Sequence, residues 1–196
     1  MATTVPDDAL DFEQTYFRFA SLEFPWDTLQ ALSFALFRTY AVPSIGGLLY
    51  RTGEFTERTQ KRYDDTNLLL DEVGFAGFDS DSGRAAIRRI NQMHRSYDIS
   101  NDDLRYVLCT FVVMPVRWLS EYGWRRATHE EVAAGVEYYR GLGKRMGIQD
   151  IPTDYWGFSQ LMDSYEREHF AFDPGARKVA DATLDLLATF RPFSWL

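Results

Sequence analysis

The chain has one cysteine, Cys109, set inside an apolar run, so no intramolecular disulfide can form and a reducing compartment is the natural setting. It has no Cys-x-x-Cys, no His-Glu-x-x-His and no Cys-x-x-Cys-His. These absences exclude zinc ribbons, zinc proteases of that type and covalently attached c-type haem. Neither a Gly-x-Gly-x-x-Gly fingerprint nor a phosphate-binding loop occurs, which takes nucleotide cofactors out of the front rank. Positive charge is scarce: the net charge is −8, and basic residues gather only in short pieces such as Arg84–Arg89. Nucleic acid is therefore not expected as a partner, nor is a polybasic attachment to a membrane surface. Long hydrophobic runs are missing too. The longest, Tyr106 to Val116, is too short to cross a bilayer, so no integral membrane segment is expected. Met1 to Phe12 carries acids rather than the apolar core of a signal peptide, and a cytoplasmic protein is the expectation. No segment shows the period-two alternation of a convincing strand.

What is present is helical periodicity and aromatic bulk. The 196 residues suit one domain, and 45% are hydrophobic, enough for a sizeable core. Aromatics reach 16%, which fits either a well-packed core or one with wide planar cavities. The pattern predicts an all-α class of eight or nine helices. The first spans about Asp7–Leu22, with Leu10, Tyr16, Phe17 and Phe19 among its apolar positions. Phe24-Pro25 interrupts, and a second runs from Trp26 to Tyr40. Pro43 to Leu49 reads as helix or turn, and a fourth helix covers about Thr56–Val73. The loop Gly74–Gly83 precedes a fifth helix, Arg84–Tyr97. Ser100-Asn101-Asp102-Asp103 reads as the cap of a long sixth helix through Tyr122, with a kink or break expected near Val113 because Pro115 falls inside it. Thr128 to Glu131 has capping-box spacing and opens a helix to Met146, which Gly147 ends. Pro152-Thr153-Asp154 starts the next, to Phe170, and Asp173-Pro174 the last, which stops before Pro192.

Few residues can carry chemistry. His94 lies on the stripe Ile87, Ile90, His94, Tyr97, which sets an imidazole on the inward face of its helix. A core histidine bonded to a neighbouring carbonyl and a metal or haem ligand both fit that position. Arg62 and Thr66 are four apart on one face, in line with Leu69 and Leu70. An arginine there either snorkels to water or meets an anion. His129 belongs to a capping box and reads as solvated. Glu166-x-x-His169 has the spacing used by di-iron carboxylate bundles, but the sequence holds one copy and lacks the full ligand set. Cys109 and the serines have no nucleophile signature.

The same residues carry a likeness. Arg62-Tyr63-Asp64-Asp65-Thr66, followed by Arg88-Arg89-Ile90-Asn91-Gln92-Met93-His94, resembles the central pattern of the family of latex-clearing rubber oxygenases and mycophenolic-acid-pathway oxygenases. Glu23-Phe24-Pro25-Trp26, Tyr40-Ala41-Val42-Pro43-Ser44, Gly53-Glu54-Phe55-Thr56, Tyr122-Gly123-Trp124 and Met146-Gly147-Ile148 through Ile151-Pro152 resemble the second subgroup. The likeness runs from about Asp11 to Phe190.

The resemblance implies a helical domain holding non-covalent haem b, with His94 as the iron ligand and Arg62 and Thr66 beside the haem as catalytic candidates, Arg62 anchoring a propionate or polarising bound oxygen and Thr66 shaping or hydrogen-bonding the distal side. It also brings in Arg88 and Arg89 as cofactor contacts. A neutral imidazole suits a proximal ligand, and a buried arginine suits a haem propionate. One departure matters. Rubber oxygenases carry a lysine just before the threonine, able to occupy the distal iron position, and this chain has Asp65 there. Glu54 and Glu57 are candidates for the family's proposed catalytic glutamate. The membrane anchor of the mycophenolic-acid enzymes has no counterpart, so a soluble form is expected. The implied activity is a haem-dependent oxygenase that uses dioxygen on an apolar, isoprenoid- or polyketide-like small molecule, by cleavage of a carbon–carbon double bond. The rival readings are a non-catalytic binder of haem or a hydrophobic ligand, and a non-haem metal oxygenase using His94 with Asp64, Asp65 or Glu168.

Overall fold

The computed structural model describes residues 11–190. The all-α expectation holds: every regular element among the described residues is helical. The described residues form ten α-helices rather than eight or nine, together with one π-helical turn. α1 (Phe12–Phe17) passes directly into the π turn Arg18–Glu23, in which the Phe24 N–H bonds the Phe19 carbonyl five residues back. The Asp7–Leu10 part of the expected first helix lies outside the described residues. α2 (Pro25–Thr39) begins at Pro25, whose fixed φ suits the first helical position. The segment from Pro43 resolves as helix, α3 (Pro43–Thr52), and a four-residue helix, α4 (Glu54–Glu57), follows Gly53. These pieces account for the higher count.

α5 (Thr59–Ala76) and α6 (Asp81–His94) form a tight antiparallel pair. Their connection depends on glycine at two places. Gly77 has φ 81°, and a β-carbon on Gly83 would stand 2.0 Å from the Gly77 carbonyl oxygen. The Ser80 hydroxyl closes the turn by accepting from the Gly83 N–H at 2.9 Å. α6 ends at His94, three residues earlier than expected, so Tyr97 lies beyond the helix and is exposed.

α7 (Asn101–Tyr122) starts on Ser100, which accepts from Asp103 N–H at 3.0 Å, and runs unbroken through Pro115, so the helix does not stop there. α8 (His129–Met146) opens on the complete capping box of Thr128 and Glu131. α9 (Tyr155–His169) is capped by Asp154 and α10 (Pro174–Thr189) by Asp173.

α7 is the central element: α2 and α9 pack on it, and α8 touches it as well. α1 lies on α8, and α10 on α3. The main core gathers Tyr106, Phe78, Phe158, Met162 and Val113, all essentially without solvent contact. A smaller cluster of Tyr40, Phe55 and Val179 sits where α3, α4 and α10 meet the start of α5. No single helix among the described residues is long and apolar enough to cross a membrane; α2 and α3 reach the length together but are bent by 97°.

Candidate functional site

The antiparallel register of α5 and α6 brings Arg62, near the start of one, opposite His94, at the end of the other. The imidazole is partly buried, and its Nδ1 lies 2.8 Å from the Ile90 carbonyl oxygen. A carbonyl only accepts, so Nδ1 carries the proton and Nε2 keeps its lone pair. Burial holds the His94 pKa below the usual histidine value, the bond to Ile90 opposes this, and the positive charge of Arg62 adds to the depression. The imidazole is thus neutral at neutral pH and close enough to Arg62 to feel its charge.

Arg62 is itself partly buried. Its guanidinium donates to the Thr66 hydroxyl, which in turn donates to the Arg62 carbonyl at 3.0 Å. The guanidinium also lies over the Phe55 ring, 4.9 Å from its centroid. Burial holds the Arg62 pKa below its ordinary range, against the stabilising influence of Tyr40, Asp65, Glu54 and Tyr97. Among the described residues no carboxylate forms a salt bridge with it. The two nearest acids are engaged elsewhere: Glu54 with Arg58, and Asp65 with Lys61. The hydrogen bond from Lys61 keeps the Asp65 carboxyl below the usual carboxylate range. The result is a guanidinium largely out of water without a counter-ion, an arrangement that favours an incoming anion.

Arg88 and Arg89 are exposed, and Arg89 bonds the Gln92 side chain at 3.0 Å. At ~100° per residue they point away from the His94 face of α6, yet the charge of Arg89 still acts on Asp65, which in turn acts on Arg62. Glu57 lies beside Gly53. The other histidines are accounted for without chemistry. His129 is exposed at the start of α8, and His169 packs on Tyr165 with ring centroids 4.1 Å apart. Glu166, the partner in the Glu-x-x-His spacing, accepts two bonds from Arg38 at 2.5 Å and one from the Tyr106 hydroxyl at 3.1 Å. No three His, Cys, Asp or Glu residues among those described gather closely enough to hold a metal ion, which removes the geometric basis for His94 acting with Asp64, Asp65 or Glu168. Burial pushes the Cys109 thiol up to about 12, so it is not a nucleophile at neutral pH.

On the adjoining face of α5 a cleft of about 590 Å³ opens between α5 and the stretch from α1 through the π turn to α2, with α8 and Phe111 of α7 at its base. Leu29, Leu32 and Leu36 form one wall, while Tyr63, Asn67 and Leu70 form the other. Thr66 belongs to both places: it lines the cleft and holds Arg62. Aromatic lining comes from the N-terminal side, with Tyr16 and Phe17, while α7 contributes Phe111 alone: its Tyr106 stacks on Tyr165 of α9, its Trp118 packs on Trp26 and Phe34 of α2, and its Tyr122 is exposed. Sequence reasoning missed Tyr138 and Tyr139 of α8, which lie under the cleft. The Tyr16 and Tyr139 hydroxyls share a 2.7 Å hydrogen bond, and Tyr138 stacks on Tyr16 at 4.3 Å. The adjacent tyrosine pair was a legible signal, but nothing in the sequence connected it to α1.

Haem is the cofactor that the resemblance implies, and the donor set fits it. One neutral imidazole has Nε2 free, one guanidinium lacks a counter-ion, and a non-covalent haem asks for no cluster of three ligands.

Comparison with known proteins bears on these same residues. Residues 27–196 match the family described as "ER-bound oxygenase mpaB/B'/Rubber oxygenase, catalytic domain". The chain is 33% identical over 190 residues to ER-bound oxygenase mpaB of Penicillium brevicompactum, covering 88% of this chain and 48% of that one. It is 33% identical over 186 residues to mpaB' of the same fungus, with 86% and 44% covered. The mpaB of Penicillium roqueforti (strain FM164) is likewise 33% identical over 186 residues, with 86% and 62% covered. The chain thus spans about half the length of these relatives. Their printed names place them at the endoplasmic reticulum, which does not accord with the cytoplasmic setting expected from composition.

Proposed function

This chain belongs to the mpaB and rubber oxygenase catalytic-domain family, and from that premise we propose that it is a haem b-dependent oxygenase acting on an apolar small molecule. The observation that carries the reading is the pairing of His94 with Arg62: a neutral imidazole beside a guanidinium without a counter-ion.

In this reading His94 would hold the haem iron, its ring fixed by the bond from Nδ1 to the Ile90 carbonyl, which leaves Nε2 as the donor atom. Arg62 meets a propionate, the anion its surroundings lack. Thr66 holds Arg62 in place and presents its hydroxyl at the border of the cleft. The cleft excludes water from an apolar substrate and orients it against α5. When bound, haem supplies the activation of dioxygen for oxidative cleavage of a carbon–carbon double bond. Asp65 does not take the role of a distal lysine, because it is committed to Lys61 on the helix surface.

The test is an absorption spectrum of the purified chain with and without added hemin, repeated for His94→Ala. A Soret band in the wild type that collapses in the variant is expected. A wild-type chain that shows no Soret band after hemin loading overturns the proposal. Stable haem binding without turnover of any apolar alkene leaves a haem-binding protein instead.

A further inference from the structure

The lining of the cleft is uneven in a way that selects its occupant. Most of it is hydrocarbon and aromatic ring, and no lysine, arginine or histidine lines it. Its one ionisable acid is Asp71, on α5, one turn before Gly74. Opposite them stands Tyr138, 4% exposed, whose hydroxyl makes no hydrogen bond among the described residues. That hydroxyl lies 3.6 Å from the point where a β-carbon on Gly74 would stand, so the missing side chain leaves its approach from the cleft open. Burial and the negative charges of Glu13 and Asp71 raise the Tyr138 phenol well above its ordinary pKa, so it is a proton donor throughout the accessible range. A second hydroxyl without a partner, that of Thr28, is buried in the α2 wall.

A hydroxyl that faces an apolar cleft gives a ligand oxygen a hydrogen-bond partner in place of displaced water, whereas a hydrocarbon displaces the same water with no bond in return. A carboxylate brings the same acceptor atoms. It also brings a negative charge into an apolar cleft that has no cation and one acid. We propose that the cleft takes an uncharged, otherwise apolar molecule bearing one hydroxyl or carbonyl group, held by the Tyr138 hydroxyl, and turns away the corresponding carboxylic acid. The proposal rests on the cleft being the substrate site of the oxygenase, but Tyr138 and Asp71 act without haem.

The experiment therefore uses the 196-residue chain without haem, loaded with the fluorophore aminoanthracene, which is displaced in turn by dodecanol, dodecanoate and dodecane. Dodecanol is expected to displace it at a concentration about tenfold or more below either of the others. Tyr138→Phe keeps the stacking on Tyr16 and Phe78 and removes only the donor; it brings dodecanol to the level of dodecane. Asp71→Asn removes the charge and strengthens dodecanoate while leaving dodecanol in place. No binding of aminoanthracene, equal displacement by alcohol and carboxylate, or unchanged dodecanol affinity in Tyr138→Phe each overturns the proposal. Loss of the haem reading would appear as a missing Soret band and leave these titrations as they are, so the two fail separately.

Discussion

At the scale of single residues, the candidate site consists of two groups in states they would not adopt in water. Arg62 is a partly buried cation without a counter-ion, so its removal costs the haem-free fold little. Arg62→Gln is expected to leave the denaturation midpoint of the haem-free chain unchanged or raised, and to weaken hemin binding by about ten- to a hundredfold, the worth of a charge-assisted hydrogen bond. Hemin dimethyl ester, which has no propionate charge, should bind wild type and variant alike; an equal loss for both ligands would show that Arg62 shapes the site rather than meeting an anion. His94 carries a signature in pH. Its folded pKa is depressed, so the unfolded chain takes up the proton first as pH falls. The contribution is complete above the ordinary value of about 6.5 and is lost as pH drops from there to the lower folded value. Subtracting the stability curve of His94→Gln from that of the wild type, by urea titration between neutral and mildly acidic pH, should isolate a difference of that sign.

At the scale of elements, the caps were legible and the packing was not. Ser100, Thr128 and Asp154 announce their helices because the signal is local, a side-chain oxygen three residues before the N–H it serves. Thr128→Ala should cost about 1 kcal/mol, measured by urea titration, because it removes the hydroxyl that accepts from the Glu131 N–H while the Thr128 N–H keeps its bond to the Glu131 carboxylate. The π turn and α4 were not legible, since a π turn needs one residue more per turn than the periodicity being read, and four residues carry no period at all. Arg88 and Arg89 show how a contiguous string spreads around a helix: they point away from the His94 face, and Arg89 reaches the site through its charge on Asp65. Glu166 shows what spacing does not carry: its single Glu-x-x-His copy pointed to no complete ligand set, and its actual partners come from α2 and α7. Glu166→Gln keeps the acceptor for Tyr106 and loses the charge facing Arg38. With Arg38 able to turn to water, the expected cost is about 1–3 kcal/mol, read as a shift in the urea midpoint.

At the scale of the whole molecule, the helices meet tightly on one side and part on the other. A β-carbon at Gly46 would stand 2.4 Å from the Tyr40 carbonyl oxygen and 2.5 Å from the Ala176 β-carbon, so α3 and α10 touch backbone to side chain there. Gly46→Ala should therefore destabilise the chain by about 1–3 kcal/mol, because neither neighbour is a flexible side-chain end that can move aside. Gly74 faces the cleft, its φ is not positive, and a β-carbon there would meet only the Tyr138 hydroxyl at ordinary contact distance. On helix propensity alone, Gly74→Ala should stabilise the fold by about 0.5–1 kcal/mol. It should also crowd the Tyr138 hydroxyl, so stability and dodecanol affinity move in opposite directions in the same variant. Thermal melts and displacement titrations on the two alanine variants check the pair. A Gly74→Ala chain that gains stability and keeps full dodecanol affinity would mean that the glycine is not there to keep Tyr138 accessible. A gain in stability with a loss of binding would mean that the opening along α5 is held at the expense of the fold.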